Sequence, residues 1–197
     1  MITKILATAQ RSASWCNSQS WNVAITEGRG TERLRDLLLK QASNEASLNP
    51  DFEFPREYRG VYLERRRESG LQLYRALGIE RGDKAAYVRQ TLENFRFFGA
   101  PHVAIITTDE ALGIYGAVDC GGYVSNFMLA AHASGVATIA QAAPSSYAKV
   151  IRQELNLGAD RRMVCAISLG YADSGHSANS YRTSRATVDD IVKWITD

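Results

Sequence analysis

An α+β fold, with helices covering a small sheet, is what three features of this 197-residue chain predict. Val103-Ala104-Ile105-Ile106-Thr107, entered through Ala100-Pro101, is a β-branched run suited to a central buried strand. Segments of helical spacing and short strands follow one another in mixed order along the rest of the chain. The glycines form neither G-x-G-x-x-G nor a Walker loop and no internal repeat is visible, so a Rossmann or P-loop reading has no anchor.

The elements follow in order. Ile2, Ile5, Leu6 and Ala9 recur at helical spacing and predict a short amphipathic helix ending near Arg11. A polar loop, Ser14-Trp15-Cys16-Asn17-Ser18-Gln19-Ser20, comes next. Trp21, Val23 and Ile25 then alternate with smaller or polar residues until Gly28 and Gly30, which predicts a strand stopped by glycine. Thr31 is placed to cap a helix over 32–41 with Leu34, Leu37 and Leu38 on its buried face. Residues 42–59 lose periodicity and read as a surface excursion. Helical character returns over 62–77 and 84–98, with Gly78 as the stop between them.

After the central strand, 109–118 reads as a connection to the longest apolar helix, over 119–134 with Gly135 closing it. Val124, Phe127, Met128 and Ala131 line one face of it, while Gly121, Gly122, Ala130 and Ala133 leave room for another helix to approach. A strand over 137–141, a helix over 145–155, a strand over 163–169 and a last helix over 188–196 complete the reading.

Composition narrows the function classes. The length is that of one domain, read here as 1–197, and 45% hydrophobic residues suffice for a substantial core. Lys and Arg total 23 against 21 Asp and Glu, a near balance that gives no electrostatic argument for nucleic acid or an anionic membrane. The run Glu64-Arg65-Arg66-Arg67-Glu68 is short and flanked by acids, as a solvated helix face is. Cys16, Cys120 and Cys165 form no C-x-x-C pair, and His102, His132 and His176 show no metal-binding spacing. No window reaches the roughly 18 apolar residues of a membrane span, so a reduced, cytoplasmic protein without bound metal is expected.

The polar loop is the first site candidate. Two carboxamides, two serines and a cysteine between Trp15 and Trp21 must satisfy many donors and acceptors against apolar surface, an environment that suits something polar and flat. The block resembles the Pro-Ser-x-x-Asn-x-Gln-Pro-Trp signature of the nitroreductase family, with Ala13 and Ser20 where that family has prolines. Similar landmarks follow in family order: Asn94-Phe95-x-Phe97-Phe98-Gly99-Ala100-Pro101, Val118-Asp119-x-Gly121, Leu129-Ala130-Ala131-His132-x-x-Gly135, Ile167-x-Leu169-Gly170-Tyr171 and Arg182-x-x-Arg185.

That resemblance implies a nitroreductase-like α+β fold, a mixed and mostly antiparallel sheet wrapped by helices, in a homodimer with FMN at the interface. It implies NADH or NADPH as electron donor and a small nitroaromatic or quinone-like acceptor. It assigns flavin contacts to Ser14, Trp15, Cys16 and Asn17 from the second subunit, and to Asn94 beside the ring. Gln141, Ala142 and Ala143 pass next to the flavin, with a backbone amide towards its N5, and Arg182 and Arg185 serve the phosphate. No protein side chain is assigned a catalytic role, because the flavin carries the chemistry. Tyr115, Phe95 and Phe97 are candidates for an aromatic slot, with core packing the expected fate of both phenylalanines. The family's opening Arg-Arg-Ser-x-Arg-x-Phe helix has no counterpart in the sequence, so about half of its phosphate grip is expected to be missing and FMN to be held loosely. A degenerate flavin-binding or apo pseudoenzyme, or a relative performing reductive dehalogenation or flavin fragmentation, stands as the alternative.

Overall fold

The structure, a computed structural model, describes residues 1–196. The chain forms two compact units, one built from Met1–Phe54 with Ala85–Ala172 and one from Pro55–Lys84 with the described residues from Asp173 onward.

The first unit holds a four-stranded sheet. Its strands are β1 (Trp21–Glu27), β2 (His102–Asp109), β3 (Ala137–Gln141) and β4 (Arg161–Gly170), in the order β1-β2-β4-β3, with all three pairings antiparallel. Period-2 alternation sends the side chains of the central strands to two different cores. Ala104 and Ile106 of β2, with Ile167 and Leu169 of β4, pack under α1 (Ile2–Ala9) and the long helix over Gly113–Ala133. Val103, Ile105, Met163 and Ala166 face the opposite core, with Leu34 and Leu38 of α2 (Arg29–Ser43) and Ile151 of a helix over Ala148–Glu154. A register shift after Ile106 lets Thr107 pair with Met163. In chain order, α3 is Gly60–Ala76, α4 Lys84–Leu92, α5 Gly113–Ala133 and α6 Ala148–Glu154.

Expectations for three of these elements need correction. Thr31 does not cap α2: Gly28 takes that position, and the fully buried Thr31 hydroxyl lies 2.9 Å from Thr26 Oγ1 and 3.0 Å from Pro101 O. The long helix begins at Gly113, six positions earlier than the apolar pattern suggests. Gly116 is the reason for the close seat: a Cβ there would stand 2.5 Å from Thr108 Oγ1, so only glycine lets this turn lie on the end of β2. Residues 84–98 are not one helix. α4 ends at Leu92, and Phe97, Phe98 and Gly99 all take positive φ in a tight turn ahead of β2.

Residues 42–59 are less free than their composition suggests. The Asp51 side chain is 4% exposed; it ion-pairs with Arg152, lies 3.5 Å from Arg162 Nη1 and accepts the Met163 N–H at 2.8 Å. Asn49 accepts the Lys149 N–H at 2.9 Å through its side chain, capping the start of α6 from a distant loop.

In the second unit, α3 has no buried residue. The expected helix over 188–196 is absent. Only a turn forms there, with Ile191 and Val192 N–H on Val188 O, and Thr187 bonded to the Asp190 carboxylate. The apolar spacing is helical, but Val188, Ile191, Trp194 and Ile195 are 62%, 69%, 76% and 73% exposed, and a short helix with no surface to bury is marginal in water.

Candidate functional site

The polar loop before β1 is strained and clamped. Cys16, Asn17 and Gln19 take φ of 52°, 55° and 49°, a region that costs a residue with a Cβ of the order of 1 kcal/mol or more. Asp119 on α5 offsets that cost. Both of its carboxylate oxygens lie 3.2 Å from the Trp15 N–H, and Ser18 Oγ stands 3.4 Å from Oδ2. Ser14 Oγ accepts the Gln19 N–H at 2.9 Å, and Ser20 Oγ donates to Gly116 O at 3.1 Å. Trp21 Nε1 donates to Gln10 Oε1 at 3.0 Å while its ring stacks on Tyr123. Trp15 is left 62% exposed, edge-on to the equally exposed Tyr115 with ring centroids 4.8 Å apart.

A second cluster joins Asn94, Gln141, Ala142 and Ala143. Gln141, 4% exposed at the end of β3, donates through Nε2 to Asn94 O at 2.9 Å and lies 3.4 Å from Asn94 Oδ1. Its Oε1 accepts from Ser168 of β4. Asn94 Nδ2 donates to Thr91 O at 3.2 Å, and Ala142 O accepts from the Ser145 backbone and hydroxyl. Ala142 is exposed and Ala143 half-buried, so small side chains lie at the surface beside the carboxamides. Phe95 and Phe97 pack in the core.

These two clusters do not meet within one chain. The loop precedes β1 at one edge of the sheet and Gln141 ends β3 at the other, about 14 Å away across three strand spacings. Arg182 and Arg185 belong to the second unit. Arg182 Nη1 holds Asn179 O at 3.0 Å and Tyr181 O at 2.7 Å, and Arg185 Nη1 holds Thr183 Oγ1 and Ser184 O, each at 2.7 Å. Arg185 also lines an open hollow with Arg65, Glu68 and Gln72.

Asp119 and Ser168 were passed over as site residues by the sequence reading. The Val118-Asp119-x-Gly121 landmark gives Asp119 no role, and a serine inside an apolar strand carries no local signature. Among the described residues, no group of three or more His, Cys, Asp or Glu could hold a metal ion, and no helix is long and apolar enough to cross a membrane.

Nitroreductase NfnB of Mycolicibacterium smegmatis is 35% identical over 192 residues, covering 96% of this chain and 81% of the relative. A 4-nitrobenzoate reductase of Pseudomonas putida is 32% identical over 185 residues, covering 94% and 81%. The crystal structure of FMN-dependent NfnB from Mycobacterium smegmatis in complex with NADPH superposes with a TM-score of 0.94 at 33% identity, over 99% of this chain and 87% of that one. The nitroreductase family profile matches residues 1–171, and the chain belongs to that family.

Proposed function

We propose that this chain is an FMN-dependent oxidoreductase that moves hydride from NADH or NADPH to a nitroaromatic or quinone-like acceptor, working as a homodimer. The observation that carries the reading is the half-buried, uncharged carboxamide of Asn94, backed by the buried Gln141 and set beside the small residues Ala142 and Ala143. A flavin ring has a polar pyrimidine edge that neutral amides satisfy without imposing charge, so the donor set fits the group. The relatives named above, FMN-dependent and nitro-reducing by name, support the same assignment.

The chemistry FMN supplies when bound is two-electron carriage between donor and acceptor. The protein's part is to bind and orient. Asn94 would contact the ring, and the loop Ser14, Trp15, Cys16 and Asn17, held in shape by Asp119, would close the site of a second copy. Arg185 and Arg182 carry the forked guanidinium groups that suit a phosphate. Trp15 and Tyr115 offer exposed aromatic surface to a flat acceptor.

The separation of the two clusters and the exposed face of α5 support the homodimer. Ile114, Val118 and Leu129 lie 75%, 61% and 66% exposed on that helix, and a Cβ at Gly121 or Gly122 would meet nothing within 4 Å. An apolar stripe of this kind with glycines at its centre suits close self-association. Titration of the purified chain with FMN, followed by flavin absorbance and fluorescence, tests the assignment. Saturable quenching with one FMN per chain is expected, and its absence at millimolar FMN would refute it.

A further inference from the structure

We propose that Ser168, Gln141 and Asn94 form a relay of fixed hydrogen-bond polarity that presents an amide N–H of Asn94 to an acceptor atom of the bound flavin, such as a pyrimidine carbonyl. The proposal rests on the FMN reading above. Ser168 and Gln141 are positioning residues in it, and Asn94 makes the contact.

Two backbone carbonyls determine the polarity. Asn94 O can only accept, so the Gln141 atom 2.9 Å from it is the nitrogen. The Gln141 oxygen therefore faces Ser168, whose hydroxyl must donate to it. At the other end, Thr91 O can only accept, so the Asn94 atom 3.2 Å from it is also nitrogen. That turns Asn94 Oδ1 towards Gln141 Nε2, at 3.4 Å. The two assignments are independent and agree. Asn94 has spent one N–H on Thr91 and turned its oxygen inward, and a second N–H remains.

Burial makes the relay stiff. Gln141 and Ser168 are 4% and 2% exposed, so a flipped Gln141 would set oxygen against Asn94 O with no water to relieve it. Asn94 itself is half-buried and opens to the surface. The turn that follows holds Phe97, Phe98 and Gly99 at positive φ, and Asn94 O also accepts the Phe97 N–H at 3.3 Å, which fixes the backbone carrying the carboxamide. All groups in the chain are uncharged, so the orientation does not depend on a titration. A ligand that offers a carbonyl at this point is accepted and one that offers only a donor is not.

The test uses the full-length chain and side-chain amide NMR, first without flavin. Ser168→Ala removes the donor to Gln141, and the expected result is a shift of the Asn94 carboxamide resonances together with FMN binding roughly tenfold weaker, since a buried oxygen is left unpaired. Ser168→Thr, which keeps the hydroxyl, restores both. Gln141→Met gives a second interruption of the relay should Ser168→Ala fold poorly, with the same direction in both readouts. Unmoved Asn94 resonances in a folded Ser168→Ala or Gln141→Met chain would overturn the relay whether or not flavin binds, as would unchanged FMN affinity in both variants. If the wild type takes up no FMN while Ser168→Ala still moves the Asn94 resonances, the flavin reading fails and the relay stands as a device that orients Asn94.

Discussion

Asp119 shows how one side chain holds a strained loop in shape. Its two oxygens sit on the Trp15 N–H, beside three residues with positive φ. In Asp119→Ala the loop should lose order at a cost of about 1.5 to 3 kcal/mol, the usual worth of hydrogen bonds to a charged group. Hydrogen exchange would then quicken at 14–19 with β2 and β4 unaffected; unchanged protection of the loop would show that the carboxylate does not hold it. The thiols make a second prediction at this scale. Burial raises Cys120 to about 11, and burial with the neighbouring Cys120 raises Cys165 to about 12, from an ordinary value of 9.0. Above pH 9 the unfolded chain gives up these protons first, so the native state binds more of them and stability falls as pH rises through 11. The melting temperature should therefore decline above pH 9, and iodoacetamide at pH 8 should label the exposed Cys16 alone. A flat melting temperature between pH 9 and 11 would contradict the burial of both thiols.

Among the elements, the stretch after α2 carries more weight than its Asn- and Pro-rich sequence suggests. Asp51 joins it to α6 and β4 through Arg152, Arg162 and the Met163 N–H. Asp51→Ala would leave a largely buried Arg152 unpaired and is expected to cost about 3 kcal/mol, read as a lower urea midpoint. A midpoint within error of the wild type would show the pair to be incidental. The sequence disclosed the elements unevenly for physical reasons. The strand at Val103–Ile106 was legible because β-branched residues fill a doubly covered central strand, and 137–141 matched β3 because Gly135 closes the helix before it. The start of α5 was hidden because Gly113 and Gly116 are poor helix formers, and only at Gly116 does close packing on Thr108 account for the glycine. Residues 188–196 misled for the opposite cause, a helical pattern with no surface to bury. Of the site, Asn94 and the Ser14–Asn17 loop were reached through the resemblance, whereas Ser168 was not, since its significance lies only in the contact with Gln141.

At the level of the whole molecule, the two clusters stand at opposite edges of one sheet, and we read that separation as a site completed by a second copy. Sedimentation of the purified chain should give a dimer at micromolar concentration. Val118→Arg, which puts a charge in the exposed stripe of α5, should shift it to monomer and lower FMN retention together. A monomer that keeps full FMN affinity would show the site to be complete within one chain. Hydride transfer through FMN is read out by an anaerobic titration. The FMN-loaded protein should bleach on addition of one equivalent of NADH or NADPH and regain its absorbance on addition of a nitroaromatic. A flavin that binds but stays oxidised with both nicotinamide donors would show that this chain does not take hydride from them.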